Sequence, residues 1–211
     1  MAFTDEKIAM LEREMRIVKE AMSRQQETLT GKGERKMTAE ELLNGIREGK
    51  ALLQNGEKFT FEIRDCLLHH IPMPVIQNFY MDTMKEAEAV ILANQERNVC
   101  QIITLLEEPL KIESIEEWRK KLEEGMLQAG GYAEVTEEYT LKNIDYLTFR
   151  TASAKGWIYN HIFRIRTDSR VMGIFNCMEE DKDTFGTLLE ALILYMNELL
   201  SDSAGEDGKG V

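Results

Sequence analysis

The stretch that decides the fold is residues 132–178, YAEVTEEYTLKNIDYLTFRTASAKGWIYNHIFRIRTDSRVMGIFNCM. Apolar and polar residues alternate along four runs within it, which is the period of half-buried β-strands. Turn-forming residues separate these runs at Lys142-Asn143, at residues 154–156 and at Asp168-Ser169. We therefore predict four consecutive antiparallel strands joined by tight turns.

A helix is predicted on each side of these strands. The first begins at Ser114, where Glu117 completes a capping box, and it ends before two consecutive glycines. The second follows the acidic residues 179–181, because negative charge stabilises the N-terminus of a helix. The predicted fold class is α+β, with a mainly antiparallel sheet of about six strands flanked by helices and an N-terminal helical extension.

Further strands and another helix are predicted upstream. Residues 59–63 alternate as an opening strand, and residues 87–93 and 99–106 form a hairpin around a polar turn. Residues 71–74, IPMP, cannot form an interior strand, since each proline lacks a backbone donor. A capping box and an apolar side predict a helix over residues 38–54.

The chain is predicted to have three parts. Residues 1–36 hold a heptad-like helix and a flexible linker, residues 37–200 form a single α+β domain with its core in residues 59–200, and residues 201–211 form a disordered tail. The heptad-like helix offers either a coiled coil that makes a homo-oligomer or a helix that lies on its own domain. Its seam residues are Ile8, Leu11, Met15, Val18 and Met22.

The net charge of −12 comes from the residues after position 36, which we call the body of the chain. Of 26 Lys and Arg and 38 Asp and Glu, residues 1–36 contain eight and seven, which leaves a balance of −13 in the rest. Nucleic acids and anionic membranes bind clustered Lys and Arg, so neither is expected as a partner. The acidity fits either an ordinary bacterial surface or a surface that binds a basic protein.

The cysteines and the absence of long apolar runs indicate a cytoplasmic protein. Cys66, Cys100 and Cys177 are odd in number and widely spaced, which is typical of free thiols in a reducing compartment. No apolar run approaches the roughly 20 residues that span a bilayer. The acidic N-terminal residues do not match a signal peptide, so export is not expected.

No metal site or cofactor is predicted. Cys66, His69 and His70 are the nearest approach to a metal cluster, but zinc takes four ligands and the remaining histidine, His161, is distant in sequence. Adjacent histidines also point to opposite sides of an extended segment. The nearest set of ligands therefore lacks the number and spacing that a metal centre needs.

No catalytic residue is predicted either. A Cys–His pair drawn from Cys177 or Cys100 with His161 would need an exposed thiol beside a positive charge, whereas Cys177 falls on an apolar strand face. The chain contains no GxGxxG, GxxxxGK[ST], GxSxG or HExxH motif. We therefore expect a protein that is not an enzyme.

Five residues of one predicted strand are candidates for binding. Trp157, Tyr159 and His161 share a face, which is either core or an open groove for a ligand or peptide. Arg164 and Arg166 share the opposite face. They suit either a bidentate grip on a carboxylate or phosphate, or cross-strand pairing with an acidic residue.

The order of elements over residues 59–200 resembles the PsbP-like fold. An opening strand is followed by a hairpin, a capped helix with the sequence SIEEW at residues 114–118, a four-strand meander and a closing helix. That family includes plant photosystem extrinsic proteins, a yeast nuclear-import factor that binds a small GTPase, and DcrB-like bacterial proteins. The resemblance implies a binding module, since DcrB-like members include chaperones that hold the apolar helices of secreted effectors.

The expected function is a non-enzymatic cytoplasmic protein-binding module, as an adaptor or a secretion-effector chaperone. The sheet would supply the binding face, and the partner would be a protein. The alternative is a small-molecule-binding protein or enzyme that uses the aromatic face of Trp157, Tyr159 and His161. A pocket bounded by these three side chains would support the alternative, and a solid core there would remove it.

Overall fold

The computed structural model describes residues 36–111 and 113–206. The described chain is an α+β fold with three α-helices and two antiparallel sheets. The helices are α1 (Ala39–Arg47), α2 (Ile115–Gln128) and α3 (Thr187–Glu206). The strands are β1 (Lys50–Leu52), β2 (Lys58–Cys66), β3 (Ile71–Ile76), β4 (Asp82–Lys85), β5 (Ala89–Asn94), β6 (Val99–Leu105), β7 (Ala133–Thr140), β8 (Ile144–Ser153), β9 (Gly156–Ile165) and β10 (Val171–Met178).

The larger sheet has seven strands in the order β4-β5-β6-β10-β9-β8-β7, and the smaller has the order β1-β2-β3. The four strands predicted over residues 132–178 are β7 to β10, and each pairs antiparallel with its neighbour in sequence. The predicted hairpin is β5 and β6. The proline-containing strand β3 lies at an edge of the smaller sheet, where the missing backbone donors cost least.

The main core lies between one face of the seven-stranded sheet, α3 and the smaller sheet. We call this the inner face. It carries Val90, Ile103, Phe163 and Phe175, all of which are buried. Gly173 lies at its centre because a Cβ there would meet the Phe163 ring at 2.1 Å, so only glycine admits that ring.

The opposite face of the seven-stranded sheet is the outer face, and α2 packs on the part over β7, β8 and β9, where Met172 and Ile174 of β10 lie against the edge of its contact cluster. Trp118 of α2 is buried there against Leu147, Phe149 and Ile162. Both hydrogen bonds of the predicted capping box are present, with the Glu117 amide donating to Ser114 Oγ at 3.2 Å. The helix therefore begins where the sequence predicted.

The predicted helix over residues 38–54 is wrong in its second half. Helix α1 ends at Arg47, and Gly49 turns the chain with φ of +79° into β1. That strand pairs with β2, which gives its backbone groups partners and buries Ala51. A Cβ on Gly45 would lie 2.5 Å from the Lys50 carbonyl oxygen, so glycine permits this close return.

The closing helix begins later and ends later than predicted. A 3-10 turn (Glu179–Asp181) and a π-helical turn (Lys182–Gly186) precede α3, which continues to Glu206. The tail predicted to begin at Ser201 is thus helical as far as Glu206. The remaining residues 207–211, and the heptad seam predicted within residues 1–36, lie outside the described residues. None of the described helices is both long and apolar enough to cross a membrane.

Candidate functional site

The three aromatic candidates lie on the inner face, where Tyr159 and His161 are in contact and Trp157 lies apart from them. His161 is fully buried, and its Nε2 donates to the Gly186 carbonyl at 3.0 Å. The ring of Tyr159 stands edge-on at 5.0 Å. Burial lowers the pKa of His161 to about 4, so the imidazole is neutral at ordinary pH. His161 is core because the π-helical turn covers it, which is the first of the two alternatives that the sequence left open for this face.

Trp157 and Tyr159 have different surroundings. Trp157 is half-buried near the start of β9, where its ring meets Tyr132 at 6.2 Å and the Arg150 guanidinium at 5.5 Å. Tyr159 packs against Gly186, and burial raises the pKa of its hydroxyl. The three candidates therefore bound no common pocket, and the aromatic face is largely covered.

Arg164 is paired across strands, as one of the two alternatives predicted. Its Nε donates to Asp145 Oδ2 at 3.0 Å, and its Nη2 donates to the Glu113 carbonyl at 2.6 Å. The Trp118 ring lies 4.7 Å from its guanidinium carbon. Arg166 lies just beyond β9, where its Nη1 donates to the Leu141 carbonyl at 2.9 Å. Both arginines thus lie beside Asp145.

The Cys–His combinations have the geometry of structural residues. Cys66 and Cys177 are buried, and burial raises the pKa of both thiols, which disfavours the reactive thiolate. Cys177 lies opposite Tyr159 in the register, whereas His161 lies opposite Phe175. Among the described residues no group of three or more His, Cys, Asp or Glu could hold a metal ion.

The most distinctive surface is the part of the outer face that α2 leaves uncovered. On β5, β6 and β10 burial alternates, apart from Leu105 at the end of β6, so inner-face side chains are buried and outer-face side chains are half-exposed. We call the outer side of β4, β5, β6 and β10 the open face. It is mainly apolar, with Asp82, Thr104 and Asn176 as its polar members, whereas the exposed side of a sheet is usually polar.

A row of apolar side chains crosses this face in register. Met84 of β4 lies opposite Ile91, Ile91 opposite Ile102, and Ile102 opposite Ile174. The row continues through Ile162 of β9 to the region under α2. Half of one continuous apolar row is therefore covered by a helix, and the other half is accessible.

Acidic residues lie at one end of the open face. Glu86 and Glu88 are in the turn between β4 and β5, and the Leu105 amide donates to the Glu88 carbonyl at 2.7 Å. Two more exposed glutamates follow Leu106, just after the end of β6, while Lys85 and Arg170 are the nearby cations. The end therefore carries a net negative charge. These glutamates are Glu86, Glu88, Glu107 and Glu108.

The open face was not predicted from the sequence. Strand alternation predicted which residues share a face, but the row depends on the register of strands that are distant in sequence. Ile102 and Ile174, for example, are paired across β6 and β10. A comparison with known protein families and with curated proteins found no match for this chain.

Proposed function

We propose that the protein is a non-enzymatic protein-binding module whose open face receives an amphipathic helix of a partner protein. The row formed by Met84, Ile91, Ile102 and Ile174 is the observation that carries this proposal. A contiguous apolar patch with a charged rim is typical of an interaction surface. The role of an adaptor or secretion-effector chaperone in the cytoplasm is one form of this function.

The dimensions of the open face suit a helix. Neighbouring strands lie about 4.8 Å apart, so β4 to β10 span about 14 Å, and a helix with its side chains is about 10 Å wide. Helix α2 already packs on the other half of the same apolar row, through Trp118 and Ile162. A partner helix on the open face would lie beside α2 and use the same mode of contact.

The charge of the protein favours a basic partner helix. The glutamates at one end of the open face, together with a body balance of −13, attract Lys and Arg flanking an apolar stripe. The alternative use of the aromatic face by a small molecule has less support, since His161 is enclosed in the core. A helix-in-groove mode also agrees with the role that the PsbP-like resemblance implied.

The test uses two synthetic helical peptides with the same leucine stripe, one with Lys and one with Glu on the polar face. We expect isothermal titration calorimetry to show binding of the Lys peptide only. The variant Ile102→Asp should weaken that binding by at least about tenfold, because a carboxylate cannot be buried without a partner. The added negative charge would strengthen a purely electrostatic attraction, so a loss of affinity reports apolar contact.

Two control variants complete this test. Leu127→Asp changes an exposed leucine on α2, away from the open face, and should leave affinity unchanged. If Ile102→Asp does not fold, Ile102→Thr takes its place. It keeps a β-branched side chain and should also weaken the binding of the Lys peptide. Equal binding of the Lys peptide to the protein and to both Ile102 variants would remove the open face as the docking site. Self-association that Ile102→Asp abolishes would assign the face to a second copy instead.

A further inference from the structure

A cleft at the end of β9 has a charge opposite to that of the rest of the domain. It has a volume of about 220 Å³. Three segments of the chain line it: the end of β9 and the residues after it, the residues that precede β8, and the residues that precede α2. It is separate from the open face and from the main core. Its charged lining consists of Lys111, Lys142, Asp145, Arg164 and Arg166, and Thr167 and Ser169 add hydroxyl groups.

Four cations converge on this cleft against one carboxylate. Lys111 and Lys142 are exposed and form no ion pair with any other part of the chain that the structure describes. Arg166 is about half-exposed, and only its Nη1 is bonded to a backbone carbonyl. In a chain of net charge −12, such a local surplus of positive charge marks an anion site.

Asp145 adds a second requirement. It is 6% exposed, and its Oδ2 accepts from Arg164. Its Oδ1 is buried and has no hydrogen-bond partner within the described residues, since Arg166 Nε is 3.8 Å away. A buried acceptor without a donor costs free energy, so a ligand that donates a hydrogen bond here is favoured.

We propose that this cleft binds a small phosphate monoester that carries a hydroxyl group. The phosphate, with a charge near −2, would contact Arg166, Lys111 and Lys142, and the hydroxyl would donate to Asp145 Oδ1. Arg164 is held by Asp145, Trp118 and a backbone carbonyl, so it supplies a fixed positive charge. The volume admits a molecule of this size. The proposal is independent of the open face.

Glycerol 3-phosphate is the probe, titrated into the full chain at low ionic strength and followed by calorimetry. We expect a Kd of about 1 mM or tighter. Sulfate has a similar charge but no donor, so we expect it to bind at least about fivefold more weakly. Glycerol without the phosphate should not bind. Equal affinity for sulfate and glycerol 3-phosphate would overturn the assignment, since Asp145 would then contribute nothing.

Substitutions locate the site. The double variant Lys111→Gln and Lys142→Gln should weaken binding of glycerol 3-phosphate by about tenfold or more, because both charges face the cleft. The matched double variant Lys50→Gln and Lys120→Gln removes the same net charge from exposed positions elsewhere and should leave the affinity within about twofold. A similar loss in both pairs would show a non-specific field effect and would overturn the site.

Discussion

At the level of single residues, His161 shows how an imidazole can be held in a core without a charged partner. The Gly186 carbonyl can only accept, so Nε2 carries the proton and Nδ1 does not. Nδ1 is buried and has no partner among the described residues. A second proton on this ring would place an unpaired charge in the core, which is why burial lowers its pKa.

The free energy of unfolding should therefore depend on His161 at acidic pH. The folded-state pKa of about 4 lies below the ordinary value of 6.5, so the unfolded state binds a proton that the folded state excludes. The contribution is complete above pH 6.5 and is lost as the pH falls toward 4, by up to about 3 kcal/mol. Urea unfolding of the protein and of His161→Gln across this range measures it. Parallel pH curves for the two proteins would contradict the prediction.

At the level of elements, α2 is anchored by one aromatic side chain. Trp118 packs on Leu147 and Phe149 and covers the ion pair of Arg164 with Asp145. The rest of the helix is largely exposed, and its stripe is less continuous than that of α3. The outer face under α2 thus depends mainly on Trp118, with Ile115 and Leu122 partly buried beside it, while the inner face is buried by many residues of α3 and the smaller sheet.

Removing this anchor should destabilise the protein strongly. Trp118→Ala deletes a buried indole and exposes a buried ion pair, so we expect a loss of about 3–5 kcal/mol in the free energy of unfolding. Leu127→Ala on the same helix is the control, because Leu127 is 69% exposed and should change stability by less than about 0.5 kcal/mol. Chemical denaturation measures both. Similar small losses in the two variants would show that α2 contributes little.

At the level of the whole molecule, the seven-stranded sheet has one buried face and one that is half open. The adjacent strands β6 and β10 each carry one cysteine, on opposite faces of the sheet. Cys100 of β6 lies on the outer face, because its neighbour Val99 lies on the inner face, and Cys177 of β10 lies on the inner face. Cys66 and Cys177 are buried, while Cys100 is half-exposed. The thiols therefore report which side of the sheet is accessible.

Thiol labelling should distinguish the two faces. In the native protein we expect a maleimide to modify Cys100 first, whereas Cys66 and Cys177 should react only after unfolding. Cys100→Ser should eliminate the early phase. The Lys peptide of the binding test should slow it, because Cys100 precedes Ile102 on the same side of β6. Early modification of Cys177, detected by mass spectrometry of the peptide that contains it, would contradict this assignment of the faces.

Local sequence signals predicted much of the fold. The alternation over residues 132–178 predicted β7 to β10, and Ser114 with Glu117 predicted the start of α2. Both signals act over a few residues, so neighbouring side chains are sufficient to specify them. The strand β1 was missed because its pairing with β2 outweighs the helical pattern of residues 38–54. The pairing of Arg164 with Asp145 was predicted only as one of two alternatives.

By itself, the sequence determined the α+β class, the order of the main strands and the two capped helices, since period, turns and caps are local properties. Only the tertiary structure decided which faces are covered, because α3 and the smaller sheet reach the inner face through contacts between distant segments. That packing buried His161 and left Ile102 half-exposed. It also brought Lys111, Lys142 and Arg166 together around Asp145, because three separate loops end at the same corner of the sheet.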